Sequence, residues 1–212
     1  MVLDIRFTDK PLGHAIHNVD LRKLDESTFK EIDAAYKQYG VIVIRDQTLS
    51  PDDQLAFSRR FGSLDRFVFD RFNMKTHPEI FIVSNILENG APIGMEDAGR
   101  YWHSDMWYVQ KPPRGSFLYA VEVPHDGVRP LGDTCFTSTQ FAYETLPEEL
   151  KREAENRSAI FSSRKYGEYV GHTEEKAKDN VYLKDVVAAR QKIKDNVIEH
   201  PLVRVHPVTG KK

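Results

Sequence analysis

Cysteine is nearly absent: Cys135 is the only one in 212 residues. A single thiol excludes an internal disulfide framework and a thiolate metal cluster. Long apolar runs are missing too, and no stretch approaches the ~20 residues needed to span a bilayer. No charge of one sign dominates, since 30 basic and 32 acidic residues leave a formal net charge of −2. That balance gives no reason to expect nucleic acid or an anionic membrane as partner. Residues 1–10 carry Asp4, Arg6, Asp9 and Lys10, so the apolar core of a signal peptide is lacking there. The expectation is a cytoplasmic enzyme. The rest of the composition, 40% apolar and 29% charged, is that of an ordinary globular protein. With no repeat and no low-complexity linker, a single domain over residues 1–212 is expected.

Periodicity places the first elements. Phe29, Ile32, Ala35, Tyr36 and Tyr39 recur at helical spacing, which predicts an amphipathic helix over 27–39 with Gly40 at its end. Val41 to Ile44 is a continuous β-branched run and reads as a buried strand. Ser50-Pro51-Asp52-Asp53 has the cap, the first-turn proline and the acidic residues that open a second helix. That helix runs through Leu55, Phe57 and Phe61 to Gly62. Strands are then predicted at 80–83, 116–123 and 133–137, with turns at 111–115 and 124–132. Residues 139–155 return to helix, interrupted at Pro147. Residues 173–195 are rich in Lys, Glu and Asp and read as a solvated helix or a mobile insertion. The pattern is α+β, built on an antiparallel sheet sandwich.

Chemistry concentrates in Trp102-His103-Ser104-Asp105-Met106. In an extended segment, side chains two positions apart leave the same face. An imidazole and a carboxylate converging on one point make two thirds of a 2-His-1-carboxylate facial triad, the site that holds non-heme Fe(II) and leaves positions open. The same spacing also suits a surface His and Asp sharing a hydrogen bond near a turn, and the pair alone does not decide between the two.

Five motifs fall in order along the chain: Gly40 to Gln47 (GVIVIRDQ), Phe57 to Gly62 (FSRRFG), Trp102 to Asp105 (WHSD), Gly132 to Thr134 (GDT) and His200 to Lys211 (HPLVRVHPVTGK). Together they resemble the taurine dioxygenase/2,4-dichlorophenoxyacetate dioxygenase family of Fe(II)- and 2-oxoglutarate-dependent oxygenases, from about residue 12 onward. The resemblance implies a double-stranded β-helix (jelly roll) with flanking helices. It implies Fe(II) as metal and 2-oxoglutarate and O2 as cosubstrates. It also implies hydroxylation of a C–H bond of a small organic acid, coupled to decarboxylation of 2-oxoglutarate to succinate. By motif position, His103 and Asp105 match the family's first two iron ligands. Thr134 matches the threonine whose hydroxyl binds a carboxylate of 2-oxoglutarate; on its own it would read as a β-branched strand residue.

The family's second histidine ligand and its cosubstrate-binding arginine follow the segment in which Lys212 stands. His200, His206 and Arg204 match structural positions of that segment. The expectation is a C-terminally incomplete domain that lacks its last strands, with the third ligand beyond Lys212 and the 212 residues alone inactive. A shortened non-catalytic binding or regulatory paralogue, and recruitment of His200 or His206 as a ligand, are the competing explanations. A metal-dependent hydrolase using a non-redox ion is a further alternative. Uncovered sheet edges would need another subunit, so a homo-oligomer is expected. For substrate, Phe67, Asp70 and Gly99 stand where taurine-specific members carry a histidine, a tyrosine and an asparagine, which argues against taurine. Phe67, Phe69, Phe72 and Trp107 are candidates for an aromatic pocket, or for ordinary core.

Overall fold

Asp25 and Gly40 bracket the first long helix, α1 (Glu26–Tyr39). The Asp25 carboxylate accepts the Thr28 amide at 2.7 Å, and that backbone hydrogen bond is the chief reason its pKa falls to about 2. Gly40, at φ 70°, closes the helix by donating its amide to the Tyr36 carbonyl. The computed structural model describes residues 3–67, 70–96, 98–162, 173–192 and 197–212. Two compact units alternate along the chain. The first comprises residues 1–61, 117–157 and 202–212; the second comprises 62–116 and 158–201.

In the first unit, β1 (Asp4–Arg6) runs antiparallel to β2 (His14–His17), with Ile5 opposite Ile16. β2 runs parallel to β3 (Ile42–Ile44), with Ile16 opposite Ile44. Helix α1 supplies the crossover that a parallel pair requires. This departs from the all-antiparallel expectation, and β3 is half-buried where a buried strand was expected. Ile16, Ile32, Ala35 and Phe57 form the core, with Ile5, Phe29 and Phe61 packed around them. Helix α2 (Pro51–Arg59) begins at a capping box: Ser50 Oγ accepts the Asp53 amide at 3.2 Å, and Asp53 Oδ2 accepts the Ser50 amide at 2.9 Å. Pro147 separates α3 (Thr139–Glu144) from α4 (Glu148–Glu155), as its missing N–H requires.

The strands expected at 116–123 and 133–137 form no ladder among the described residues. A β-branched or aromatic run marks what a strand surface can pack, but a ladder needs a neighbour to bond with. Phe117 and Tyr119 are nonetheless anchored. The Phe117 ring packs edge-on to Phe57 at 5.5 Å, and the Tyr119 hydroxyl accepts the Leu49 amide at 3.1 Å. Leu118 and Val121 stay 69% and 88% exposed. The turn expected at 124–132 is present: Leu131 donates to the Pro124 carbonyl, and Asp126 Oδ1 accepts the Val128 and Arg129 amides at 2.9 Å each.

In the second unit, the stretch expected as a strand at 80–83 makes isolated bridges, Phe81 with Asn73 and Val83 with Met95. Gly94 allows that approach. A Cβ there would lie 2.8 Å from the Ile82 carbonyl oxygen and the Ser84 amide nitrogen. β4 (Leu87–Glu88) and β5 (Ala91–Pro92) make a short hairpin around Asn89-Gly90, both at positive φ. β6 (Ser158–Phe161) pairs antiparallel with β7 (Ile198–Pro201). Residues 173–192 are not simply solvated. They contain α5 (Glu174–Ala177) and α6 (Val181–Lys192), and Tyr182 and Val186 of α6 are buried against Phe72 and Met95. Tyr182 and Val186, one helical turn apart, seat the helix on that core with Leu183 packed beside them. Residues 193–195 of the predicted segment lie outside the described residues. Among the described residues no helix is long and apolar enough to cross a membrane.

Candidate functional site

His103 and Asp105 are brought together in the second unit. His103 Nε2 stands 3.3 Å from Asp105 Oδ1. The other imidazole nitrogen, Nδ1, is 2.7 Å from the Tyr101 carbonyl oxygen. A carbonyl only accepts, so this contact places a proton on Nδ1 and turns Nε2 toward the Asp105 carboxylate. Ser116 Oγ donates to Asp105 Oδ2 at 2.5 Å, which leaves Oδ1 as the oxygen turned toward His103. Both side chains are partly exposed.

The chain reverses directly after Asp105. Met106 takes φ 53°, a left-handed conformation that an unbranched side chain tolerates at some cost, and Val109 donates its amide to the Met106 carbonyl. The turn is held from a distance by His200 on β7. His200 is 3% exposed, and its Nε2 lies 3.2 Å from both the Trp107 and the Val109 carbonyl oxygens. Its ring packs edge-on to Trp107 at 5.4 Å and against Phe161 at 5.6 Å. Nε2 is therefore committed as a donor to the backbone. His206 is engaged in the other unit, where its Nδ1 accepts the Val208 and Thr209 amides. Among the described residues, no group of three His, Cys, Asp or Glu side chains is arranged to hold a metal.

The pair itself suits a metal. At roughly 2.1 Å per bond, two ligand atoms at right angles around a first-row ion lie about 3.0 Å apart. The observed 3.3 Å needs only a small closure. One imidazole nitrogen and one carboxylate oxygen, each oriented by a hydrogen bond on its far side, match the donor chemistry of a non-heme Fe(II) site.

The remaining expected residues are placed as follows. Thr134 belongs to the first unit, exposed on an extended stretch that follows Gly132 at φ 76°. Phe67 packs on Phe81 at 4.6 Å at the margin of the core. Asp70 opens a 3₁₀ turn, Asp70–Phe72, and is exposed. Phe72 is 1% exposed within the core, so its candidacy for a pocket gives way to packing. Trp107 contacts Phe161 and His200, while Phe67 and Phe72 each pack against Phe81. Phe69 lies outside the described residues. Gly99 has φ 77°, and a Cβ there would stand 3.8 Å from His103 Cε1. The spacing gave no sign of Ser116 or of the Tyr101 carbonyl. Ser116 comes from the start of a stretch read only as a strand, and the carbonyl carries no residue-type signal at all.

The family model described as "Taurine catabolism dioxygenase TauD, TfdA family" matches residues 8–212. Pentalenolactone F synthase of Streptomyces arenae is 34% identical over 206 residues, covering 95% of this chain and 67% of the relative. The (S)-phenoxypropionate/alpha-ketoglutarate-dioxygenase of Sphingobium herbicidovorans is 30% identical over 210 residues, covering 99% of this chain and 68% of the relative. Among solved structures, AAD-2 in complex with Mn(II) and N-oxalylglycine superposes with a TM-score of 0.63 at 22% identity, over 99% of this chain and 67% of that one. That last likeness is one of fold. The chain thus spans about two thirds of the length of the curated relatives it matches.

Proposed function

This chain belongs to the taurine catabolism dioxygenase TauD, TfdA family, and from that premise we propose that His103 and Asp105 are two ligands of its Fe(II), that Thr134 binds 2-oxoglutarate, and that the substrate is a small organic acid with an aromatic or alkyl body. The enzymes of this family are Fe(II)- and 2-oxoglutarate-dependent dioxygenases, and the bound metal with O2 and cosubstrate supplies the oxidising power for C–H hydroxylation.

The observation that carries the reading is the cis-like pair of donor atoms, 3.3 Å apart, on residues that match the motif. The chain's own part is positional. Tyr101 fixes the imidazole tautomer, Ser116 fixes the carboxylate, and the His200-supported turn fixes the backbone after Asp105. A third ligand then comes from outside the described residues. For Thr134 the support is its place in Gly132-Asp133-Thr134 and its exposed hydroxyl. For the substrate class, the support is the absence of the polar taurine set at Phe67, Asp70 and Gly99, together with a relative that acts on phenoxypropionate. Exposed Leu118 and Val121 support self-association as a homo-oligomer, which sedimentation velocity tests.

Replacing His103 or Asp105 with Ala should each weaken Co(II) or Mn(II) binding at least 10-fold. Metal affinity unchanged in both variants would overturn the ligand assignment. Thr134→Val should weaken 2-oxoglutarate binding while sparing the fold; an unchanged affinity would count against Thr134 as a cosubstrate-binding residue.

A further inference from the structure

An aspartate carboxylate has two equivalent oxygens and a soft terminal torsion, so an unrestrained side chain can offer a metal either oxygen or both. Offering both would take an additional coordination position, and a facial triad works by leaving positions open. Asp105 is not unrestrained. Its Oδ2 accepts the Ser116 hydroxyl at 2.5 Å, and its Oδ1 is the atom 3.3 Å from His103 Nε2. A serine hydroxyl has one proton to give, and here it goes to the oxygen facing away from His103. The arrangement repeats on the carboxylate what the Tyr101 carbonyl does for the imidazole at 2.7 Å. The difference is that the imidazole is held by backbone and the carboxylate by a side chain, which substitution can remove.

We propose that Ser116 is a positioning residue for the metal site: its hydroxyl occupies Asp105 Oδ2 and presents Oδ1 alone, so that the carboxylate binds through one oxygen. The inference rests on the reading of His103 and Asp105 as ligands. Ser116 touches neither substrate nor cosubstrate in this role and acts only through Asp105. Because Ser116 is exposed, its replacement by Ala leaves no buried cavity.

The test compares the unaltered protein with Ser116→Ala, Ser116→Thr and Asp105→Ala, using Co(II) alone as probe. Affinity comes from titration, coordination from the visible d–d absorption, and folding from the melting temperature of the metal-free protein. Ser116→Ala should weaken Co(II) binding about 10-fold, the scale expected when a hydrogen bond behind a metal ligand is removed. Its visible absorption should fall in intensity as a second carboxylate oxygen enters the coordination sphere, and its metal-free melting temperature should not move. Ser116→Thr, which keeps the hydroxyl, should stay near the parent on both measures. Full affinity and an unchanged spectrum in Ser116→Ala, with binding lost in Asp105→Ala, would overturn the role of Ser116 and leave the ligands standing. Equal losses in Ser116→Ala and Ser116→Thr, or a lowered metal-free melting temperature in Ser116→Ala, would also overturn it, since the hydroxyl's hold on Asp105 would not be the cause. Binding unchanged in Asp105→Ala as well would remove the reading on which the proposal rests.

Discussion

The sheet-and-helix unit around α1 and the stretch that carries His103 and Asp105 are held by different kinds of bond. Around α1 the decisive contacts are short in sequence: Asp25 to Thr28, Gly40 to Tyr36, Ser50 to Asp53. Around Asp105 the two side chains are also held locally, His103 by Tyr101 and Asp105 by Ser116, but the turn that follows is held from afar: His200 reaches Trp107 and Val109 across 93 and 91 residues, and β6 pairs with β7 from a different part of the chain. The first region is stabilised by a shared apolar core, the second by a few buried polar and aromatic contacts on a reversed loop. A scaffold thus rests on many small apolar contributions, whereas the site rests on a few contacts whose loss would be felt at once.

The sharpest break in the scaffold is Ile32→Ala. Ile32 is fully buried between Ile16, Ala35 and Phe57. Truncation removes its transfer free energy and leaves a cavity, for a cost of about 2–5 kcal/mol. Chemical denaturation should show a lower midpoint, and an unchanged midpoint would mean that this core is not what stabilises the unit.

The corresponding break near the site is His200→Ala, with a somewhat smaller cost of about 2–4 kcal/mol from lost packing and unsatisfied carbonyls. Its distinguishing effect is on the metal. Releasing the turn at 106–109 should loosen Asp105 and lower Co(II) affinity, although His200 is not a ligand. The Ile32 variant should retain its affinity under conditions where it is folded. Equal effects of both variants on Co(II) affinity would erase the contrast.

The same contrast explains what was legible in the sequence. The end of α1 at Gly40 and the start of α2 at Ser50 were readable because such signals lie within one helical turn of the residues they act on, whereas the Asp25 cap at the start of α1 was not read. The spacing of two singled out His103 and Asp105, whose side chains stand 3.3 Å apart where the chain enters a turn and not on a strand face. The strands β1, β2, β6 and β7 were not foreseen, and the strands expected at 116–123 and 133–137 form no ladder among the described residues. Pairing depends on which partner arrives, and β-branched composition carries no address. Val186 and Tyr182 were missed for a related reason: the Lys-, Glu- and Asp-rich surroundings read as solvated until Phe72 and Met95 are placed beside them.

The smallest expected effect is an acid dependence confined to the locally capped scaffold. Asp25 has its pKa lowered from 3.8 to about 2, first by the Thr28 amide and then by the Thr28 and Ser27 hydroxyls. A group whose folded pKa is depressed contributes stability that is complete above its unfolded value. That contribution is lost as pH falls from about 4 through about 2, because the unfolded chain takes up the proton first. Asp20, held at about 2 chiefly by Arg22, titrates in the same window, so the wild-type curve alone does not isolate one residue. Asp25→Asn does. Asparagine keeps an oxygen that can accept the Thr28 amide but carries no proton to titrate in this range. The wild type should be the more stable protein at pH 6, and its advantage over Asp25→Asn should shrink steadily in urea denaturation between pH 4 and pH 2.5. Asp25→Ala should be less stable than Asp25→Asn throughout, since it also loses the cap. A wild-type advantage over Asp25→Asn that stays constant down to pH 2.5 would mean that the Asp25 hydrogen bonds do not distinguish the charged from the neutral carboxyl, and that the first helix owes its start to the packing of Phe29 and Ile32 instead.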